Sequence, residues 1–210
     1  AIMSTRMQPI GTVFNKFQRV VHDMSKDLNK QVELVIEGES VELDKTIIEA
    51  IGDPLTHLVR NSMDHGIEMP DVRAKAGKKL PATLKLSAFH EAGQVNIDVS
   101  DDGRGIDPLK IKSKILEKGM LDKTQVEAMS ENELLRTIFQ PGFSTAEKVT
   151  EVSGRGVGMD VVYSNLSRLG GSVDIESKVG IGTTIHIKLP LTLAIIPSLI
   201  LEVQNARYAI

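Results

Sequence analysis

The chain has 210 residues, room for one domain of ordinary size or slightly more. Its 25 Lys and Arg against 28 Asp and Glu give a net charge of −3, so there is no cationic excess to neutralise a nucleic-acid backbone or to hold an anionic membrane surface. A sequence without cysteine excludes a disulfide framework, a thiolate metal site and a thiol nucleophile, and 3% aromatics without Trp leave no platform for stacking bases.

Between 9 and 29, Ile10, Val13, Phe14, Phe17, Val20, Val21, Met24 and Leu28 recur at helical spacing. Residues 31–37 alternate polar and apolar, which predicts a strand turned by Gly38-Glu39. Asp44 is the expected N-cap of a helix over 44–64, and Pro54 is expected to bend or offset it. Strands over 83–89 and 94–100 read as a hairpin around Glu91-Ala92-Gly93. Helical patterns return at 108–118 and 130–139. A further helix over 157–169 is stopped by Gly170-Gly171. Two more strands, 172–177 and 183–189, flank Gly180-Ile181-Gly182.

Helices and strands are mixed without a βαβ alternation. The expected class is therefore α/β, a two-layer sandwich with a mixed, mostly antiparallel sheet and helices on one face. The start, Ala1-Ile2-Met3, lacks the charged and apolar regions of a signal peptide. The longest apolar stretch, 191–203, is interrupted by Thr192, Pro197, Ser198 and Glu202 and is too short to span a bilayer. The sequence reads as a cytoplasmic piece of a larger protein, with no insertion into a membrane and no nucleic-acid partner.

Four segments carry chemistry. On the helix at 44–64, Ile48, Ile51, Leu55, Leu58, Val59 and Ser62 fall on one side, and His57, Asn61, Asp64 and His65 on the other. The second face is either a solvated surface or the wall of a cavity in which the Asn61 carbonyl oxygen suits Mg²⁺. Asp101-Asp102-Gly103-Arg104-Gly105-Ile106 follows directly from a strand. It is either a plain turn or a fixed carboxylate that accepts a hydrogen bond from an exocyclic amine, with glycines admitting a flat ring. Gly154-Arg155-Gly156-Val157-Gly158-Met159-Asp160 opens a helix, where unpaired N–H groups and the helix dipole favour phosphate. It lacks the Lys of a phosphate-binding Walker loop and the leading strand of a dinucleotide fold. The segment before it, Gln140-Pro141-Gly142-Phe143-Ser144-Thr145, reads as part of a lid over 138–153 with an exposed Phe143. Gly180-Ile181-Gly182-Thr183-Thr184 is the fourth, either a hairpin turn or part of the same cavity.

The order of these four segments resembles the gyrase, Hsp90, histidine-kinase and MutL ATPase superfamily, with its Bergerat-type ATP-binding fold. Within it, His57-Leu58-Val59-Arg60-Asn61-Ser62-Met63-Asp64-His65-Gly66-Ile67-Glu68, Pro141-Gly142-Phe143-Ser144-Thr145 and Ser153-Gly154-Arg155-Gly156-Val157-Gly158-Met159-Asp160-Val161-Val162 are similar to the CheA family of chemotaxis sensor histidine kinases. The resemblance implies an ATP-binding catalytic domain over 7–190. Residues 1–6 would be its junction from dimerisation helices, and 191–210 a linker and first strand of a coupling-protein-like regulatory domain. ATP and Mg²⁺ would be the cofactors.

The same resemblance implies the residue roles. Asn61 would bind Mg²⁺, with His65 near the metal and phosphates. Asp101 would read the adenine amino group, with Gly103 and Gly105 giving room for the ring and Thr183 behind it. Gly154, Gly156 and Gly158 would hold the phosphates, while Asp64, Ile106, Ser144, Arg155, Val157 and Met159 complete the nucleotide site. Lys110 and Lys114 are either phosphate contacts or a solvated helix face. His57 stands where hydrolytic superfamily members carry a Glu that activates water, as suits an enzyme passing its phosphoryl group to a protein.

The implied activity is transfer of the ATP γ-phosphoryl to a histidine on a separate phosphotransfer domain. Dimerisation helices, coupling protein and chemoreceptors are the implied partners, with receptor arrays as the place of work. Two rivals remain at this stage: an ATPase or anti-sigma-factor kinase of the same fold, and a nucleotide-sensing docking module without turnover.

Overall fold

The protein is described from a computed structural model, over residues 6–144, 158–192, 200–203 and 206–209. Five strands form the central sheet: β2 (Val32–Glu37), β4 (Ala82–Glu91), β5 (Gln94–Asp101), β6 (Ser172–Lys178) and β7 (Gly182–Pro190), in the order β2-β4-β5-β7-β6. β2 runs parallel to β4 and every other pairing is antiparallel. The sheet is mixed and mostly antiparallel, as the alternation of the strands implied.

Strand periodicity places the core on one face. Leu84, Leu86 and Ala88 of β4, Val95, Ile97 and Val99 of β5, and Ile185, Ile187 and Leu189 of β7 are buried. Their neighbours Ser87, Asp98, Ser100, Thr184 and His186 line the opposite, polar face. Against the apolar face pack Phe17 and Val21 of α2 (Lys16–Asp27), Ile47, Ile51, Leu55, Leu58 and Val59 of α3 (Lys45–Asn61), and Val162 and Leu166 of α8 (Met159–Arg168). Asp44 caps α3 through a 2.8 Å bond from the Thr46 amide. Pro54 is buried within α3 without ending it.

Several expectations are corrected. The helix expected over 9–29 is two pieces, α1 (Gly11–Phe14) and α2, separated at Asn15. It is preceded by β1 (Met7–Pro9), which pairs with β3 (Glu42–Asp44). Two helices escape the periodicity: α4 (Pro70–Lys75), opened by Pro70, and α6 (Lys123–Glu127), opened by a capping box from Asp122. The helix expected over 130–139 is α7 (Glu131–Arg136) followed by a 3₁₀ turn, Thr137–Phe139. α5 (Pro108–Glu117) matches its expected span to one residue, as the Asp107 cap and the two core residues Ile111 and Ile115 dictate. A separate two-stranded pairing joins β8 (Ile200–Val203) to β9 (Ala206–Ala209). Among the described residues no helix is long and apolar enough to cross a membrane.

Candidate functional site

Asp101 is the last residue of β5, opposite Leu84 of β4 and Thr183 of β7. The two-residue period that buries Val95, Ile97 and Val99 carries Asp101 onto the same core-facing row, so a carboxylate sits where the pattern calls for an aliphatic side chain. It is only 7% exposed. Burial pushes its pKa above the ordinary carboxylate value, against the opposing pull of hydrogen bonds from the Ser62 hydroxyl and the Gly103 and Thr183 amides. The Gly103 amide donates to Oδ1 at 3.0 Å. A buried carboxylate at a strand end with its pKa raised by burial marks a candidate for accepting from a ligand donor.

Two glycines from different elements set the walls around it. A Cβ on Gly66 would come within 2.9 Å of Asp101 Oδ2, so that position admits no side chain without moving the carboxylate. A Cβ on Gly103 would lie 2.1 Å from the Gly66 carbonyl oxygen, and one on Gly105, at φ +71°, would lie 2.2 Å from that of Lys178. Room for a ring was the expectation for Gly103 and Gly105. Close backbone-to-backbone approach already requires both to be glycine. The Arg104 amide donates to Gly66 O at 2.8 Å and the Gly180 amide to Arg104 O at 2.8 Å. The Ile106 amide donates to Ser177 Oγ at 2.8 Å. These bonds tie the Asp101–Ile106 turn to α3's end on one side and to the β6–β7 hairpin on the other.

Beyond Asn61 the α-helix widens into a π turn, Ser62–Gly66. This turn carries Gly66 against Asp101, and Ser62, expected on the core-facing side of the helix, bonds the carboxylate there. The buried Lys30 amine donates to the Met63 and Asp64 carbonyls at 2.6 and 2.9 Å, filling acceptors of the π turn. Burial, and then the nearby Arg104 charge, lower the Lys30 pKa. Asp64 is half-buried and His65 exposed.

Asn61 Nδ2 donates to Met159 Sδ at 3.1 Å. That bond joins the end of α3 to the start of α8 and leaves the amide oxygen with no partner among the described residues. Gly158 precedes α8 without a side-chain cap bond, and a Cβ on it would lie 3.7 Å from Ser144 Cβ. Asn61, Ser144, Gly158 and Met159 therefore meet at one helix N-terminus, where N–H groups and the helix dipole favour an anion. His57, one turn earlier on α3, has its pKa lowered by burial and then by the Arg60 charge, so its imidazole is neutral at neutral pH. Gly154, Arg155, Gly156 and Val157 lie outside the described residues, as do lid positions 145–153.

Phe143 was expected to be exposed and is buried, at 6%. Lys114 Nζ stands 4.8 Å from its ring centroid. Lys118 Nζ donates to the Gly142 and Phe143 carbonyls at 2.7 and 2.9 Å. Lys114 thus covers an aromatic ring and Lys110 is exposed. Lys118, at the C-terminal cap of α5, is the lysine that grips this turn. A groove of about 530 Å³ is lined by Thr83, Lys85, Ser100, Asp101, Asp102, Thr183 and Thr184, among others. Asp101 and Thr183 belong to its lining, so the groove reaches the strand end described above, although the Asp101 carboxylate itself lies on the helix-facing row of β5.

Residues 50–193 match the model of the histidine kinase-, DNA gyrase B- and HSP90-like ATPase family. The whole chain is 54% identical to part of the sensor histidine kinase CheAY of Helicobacter pylori, covering 26% of that protein. Over 98% of its length it is 54% identical to chemotaxis protein CheA of Salmonella typhimurium, covering 30% of it. The chain thus spans about a quarter to a third of the relatives it matches. Among solved structures, the catalytic domain of histidine kinase ThkA superposes with a TM-score of 0.57 at 15% identity, over 89% of this chain and 95% of that one. Full-length ShkA in complex with AMPPNP gives 0.56 at 15% identity, over 91% of this chain and 32% of that one. The α/β sandwich, the buried carboxylate ending β5 and a family match over most of the sequence converge: this chain belongs to the histidine kinase-, DNA gyrase B- and HSP90-like ATPase family.

Proposed function

We propose that this chain is the ATP-binding catalytic domain of a chemotaxis histidine kinase, binding Mg-ATP and passing the γ-phosphoryl to a histidine on a separate phosphotransfer domain. The observation that carries the reading is the buried Asp101 carboxylate beside Gly66 and Ser62, on the same side of the sheet as Asn61 and the N-terminus of α8. Asp101 accepts from the adenine amine, with Thr183 at the neighbouring register position. Ser144, Gly158 and Met159, together with 154–157, hold the phosphates. The Asn61 amide oxygen suits Mg²⁺, which prefers oxygen ligands and completes its shell with water and phosphate oxygens. His65 lies on the π turn that follows. Among the described residues no three His, Asp or Glu side chains converge as a metal cluster, which fits an ion held chiefly by its nucleotide. Such an ion neutralises phosphate charge when bound. His57 stands where a hydrolytic enzyme of the superfamily has a carboxylate base, and the lack of that carboxylate suits transfer to a protein acceptor over transfer to water.

In this reading 7–190 form the catalytic unit, 1–6 the junction from dimerisation helices, and 191–210 the way into a regulatory domain that docks coupling protein and receptors in the cytoplasm. The similarity to CheA proteins over the full chain favours it over a standalone ATPase. ATP consumption should be slow alone and should rise, with label appearing on histidine, when a phosphotransfer domain is added. Equal consumption with and without the acceptor would point to a hydrolase, and none in either case to a sensing module. A subtler test is Gly66→Ala, whose methyl group must displace the Asp101 carboxylate. It should weaken ATP binding roughly tenfold in a folded protein, since a misplaced charge-assisted bond loses about 1.5 kcal/mol; unchanged calorimetric affinity would remove Gly66 from the pocket wall.

A further inference from the structure

The most deeply buried charge among the described residues is outside the residues assigned above. Arg73, on the short helix α4, is 1% exposed, and Glu68 is 6% exposed. A guanidinium removed from water needs a full set of partners, and Arg73 has five hydrogen bonds. Nε and Nη2 donate to Lys79 O at 3.1 and 2.8 Å. Nη1 donates to Glu68 Oε2 at 2.9 Å and to Asp102 O at 3.0 Å. Nη2 also donates to Asp102 Oδ2 at 3.1 Å. Lys78 joins the cluster, donating to Glu68 Oε1 at 2.7 Å, Asp102 O at 2.9 Å and Gly103 O at 2.6 Å. Burial raises the Glu68 pKa, but the bonds from Lys78, its own backbone and Arg73 outweigh this and hold it below the ordinary carboxylate value. Two cations therefore face two carboxylates.

Both Arg73 and Lys78 reach the two residues that follow Asp101. The Asp102 carboxylate is also held by the Thr83 amide at 3.0 Å, and the Gly103 amide is the group that donates to Asp101 Oδ1. Fixing both carbonyls of 102 and 103 fixes the peptide planes on either side, and so the amide that orients the Asp101 carboxylate. Buried ion pairs contribute little net stability against apolar packing, and their better-attested use is to select one geometry. We infer that Arg73, with Glu68 and Lys78, is a positioning residue for nucleotide recognition: the cluster sets the angle at which the Asp101 carboxylate meets its ligand donor. The inference rests on the reading of Asp101 as the adenine acceptor.

A double-mutant cycle tests it, with Mg-ATP dissociation constants for the parent, Asp101→Asn, Arg73→Lys and the double variant, each checked by thermal unfolding. Lys cannot reproduce the planar fork that spans Glu68, Asp102 and Lys79, so Arg73→Lys should weaken ATP binding roughly tenfold. In the Asp101→Asn background the same change should alter affinity by less than about twofold, because the group it positions is gone. A purely structural role would add its full loss in both backgrounds, and that additivity, or parental affinity in folded Arg73→Lys, overturns the inference. Should Arg73→Lys fail to fold, Lys78→Met, at the more accessible edge of the cluster, takes its place in the same cycle. Parental affinity in Asp101→Asn alone would instead reject the adenine assignment, and with it the positioning role.

Discussion

Asp101→Asn is expected to abolish most nucleotide binding while leaving the free protein at least as stable as the parent. The carboxylate is buried at the end of β5 and can only accept, whereas an amide in its place can turn a donor toward the adenine amine. Loss of a charge-assisted bond in a buried site amounts to about 1.5–3 kcal/mol, or roughly a tenfold to hundredfold rise in Kd. Stability moves the other way. Because burial raises the folded-state pKa of Asp101 above 3.8, the native state keeps a proton that the unfolded chain has already released. Stability from this group therefore falls as pH rises from the unfolded pKa through the raised folded one, and the full penalty is present at neutral pH. Asparagine removes that penalty, so the unbound variant should melt no lower than the parent at pH 7. The gap should close as pH falls toward 4. ATP affinity of the parent should drop over the same window, as the carboxyl gains its proton. GTP, with an oxo group in place of the amine, should bind poorly throughout. A folded Asp101→Asn variant that binds ATP as the parent does would sink the assignment. A variant that melts well below the parent would show that the carboxylate stabilises the fold, contrary to its raised pKa.

Much of this site was legible from sequence because its residues lie on strongly patterned elements. Asp44 and the run Ile48, Ile51, Leu55, Leu58 define α3, so His57 and Asn61 fall on its remaining face by geometry alone. Asp101 could be placed at a strand end because Gln94–Ser100 alternates cleanly up to it. The parts that stayed hidden depend on contacts between distant residues. α4 is six residues long, and its one deeply buried side chain is an arginine matched to carboxylates 5 residues back and 29 residues ahead. No hydrophobic period announces such a helix. Phe143 lies among Pro, Gly, Ser and Thr, a composition that reads as an exposed loop, yet Lys114 of α5 covers it and Lys118, at the end of that helix, grips it. The π turn is likewise invisible to a 3.6-residue period, although it is what carries Ser62 and Gly66 to Asp101. Gly103 and Gly105 were expected to make room for a ring, and what crowds them is the backbone of Gly66 and Lys178.

Asn61→Ala should separate metal-dependent chemistry from base recognition. The Asn61 nitrogen is already committed to Met159 Sδ, so the group the mutation takes from a ligand is the carbonyl oxygen, the atom type that Mg²⁺ selects. Asp101 is on another element, and its partners Ser62, Gly103 and Thr183 are untouched by the change. Adenosine, which has a base and no phosphate, should therefore bind the variant as it binds the parent. ATP binding should lose its dependence on added Mg²⁺, because the ion no longer bridges protein and phosphates. Phosphoryl transfer to a supplied phosphotransfer domain should fall by at least about a hundredfold, the scale on which one misaligned electrostatic contact in a transfer site is felt. Asn61→Asp provides the control: it keeps an oxygen in place but adds a negative charge facing the phosphates, so metal dependence should persist while ATP affinity in the absence of metal declines. The decisive comparison is the Mg²⁺ titration of ATP binding in Asn61→Ala. A curve that superimposes on the parent's would mean that the ion is held by nucleotide and water alone, and Asn61 would then be a structural link between α3 and α8 through Met159.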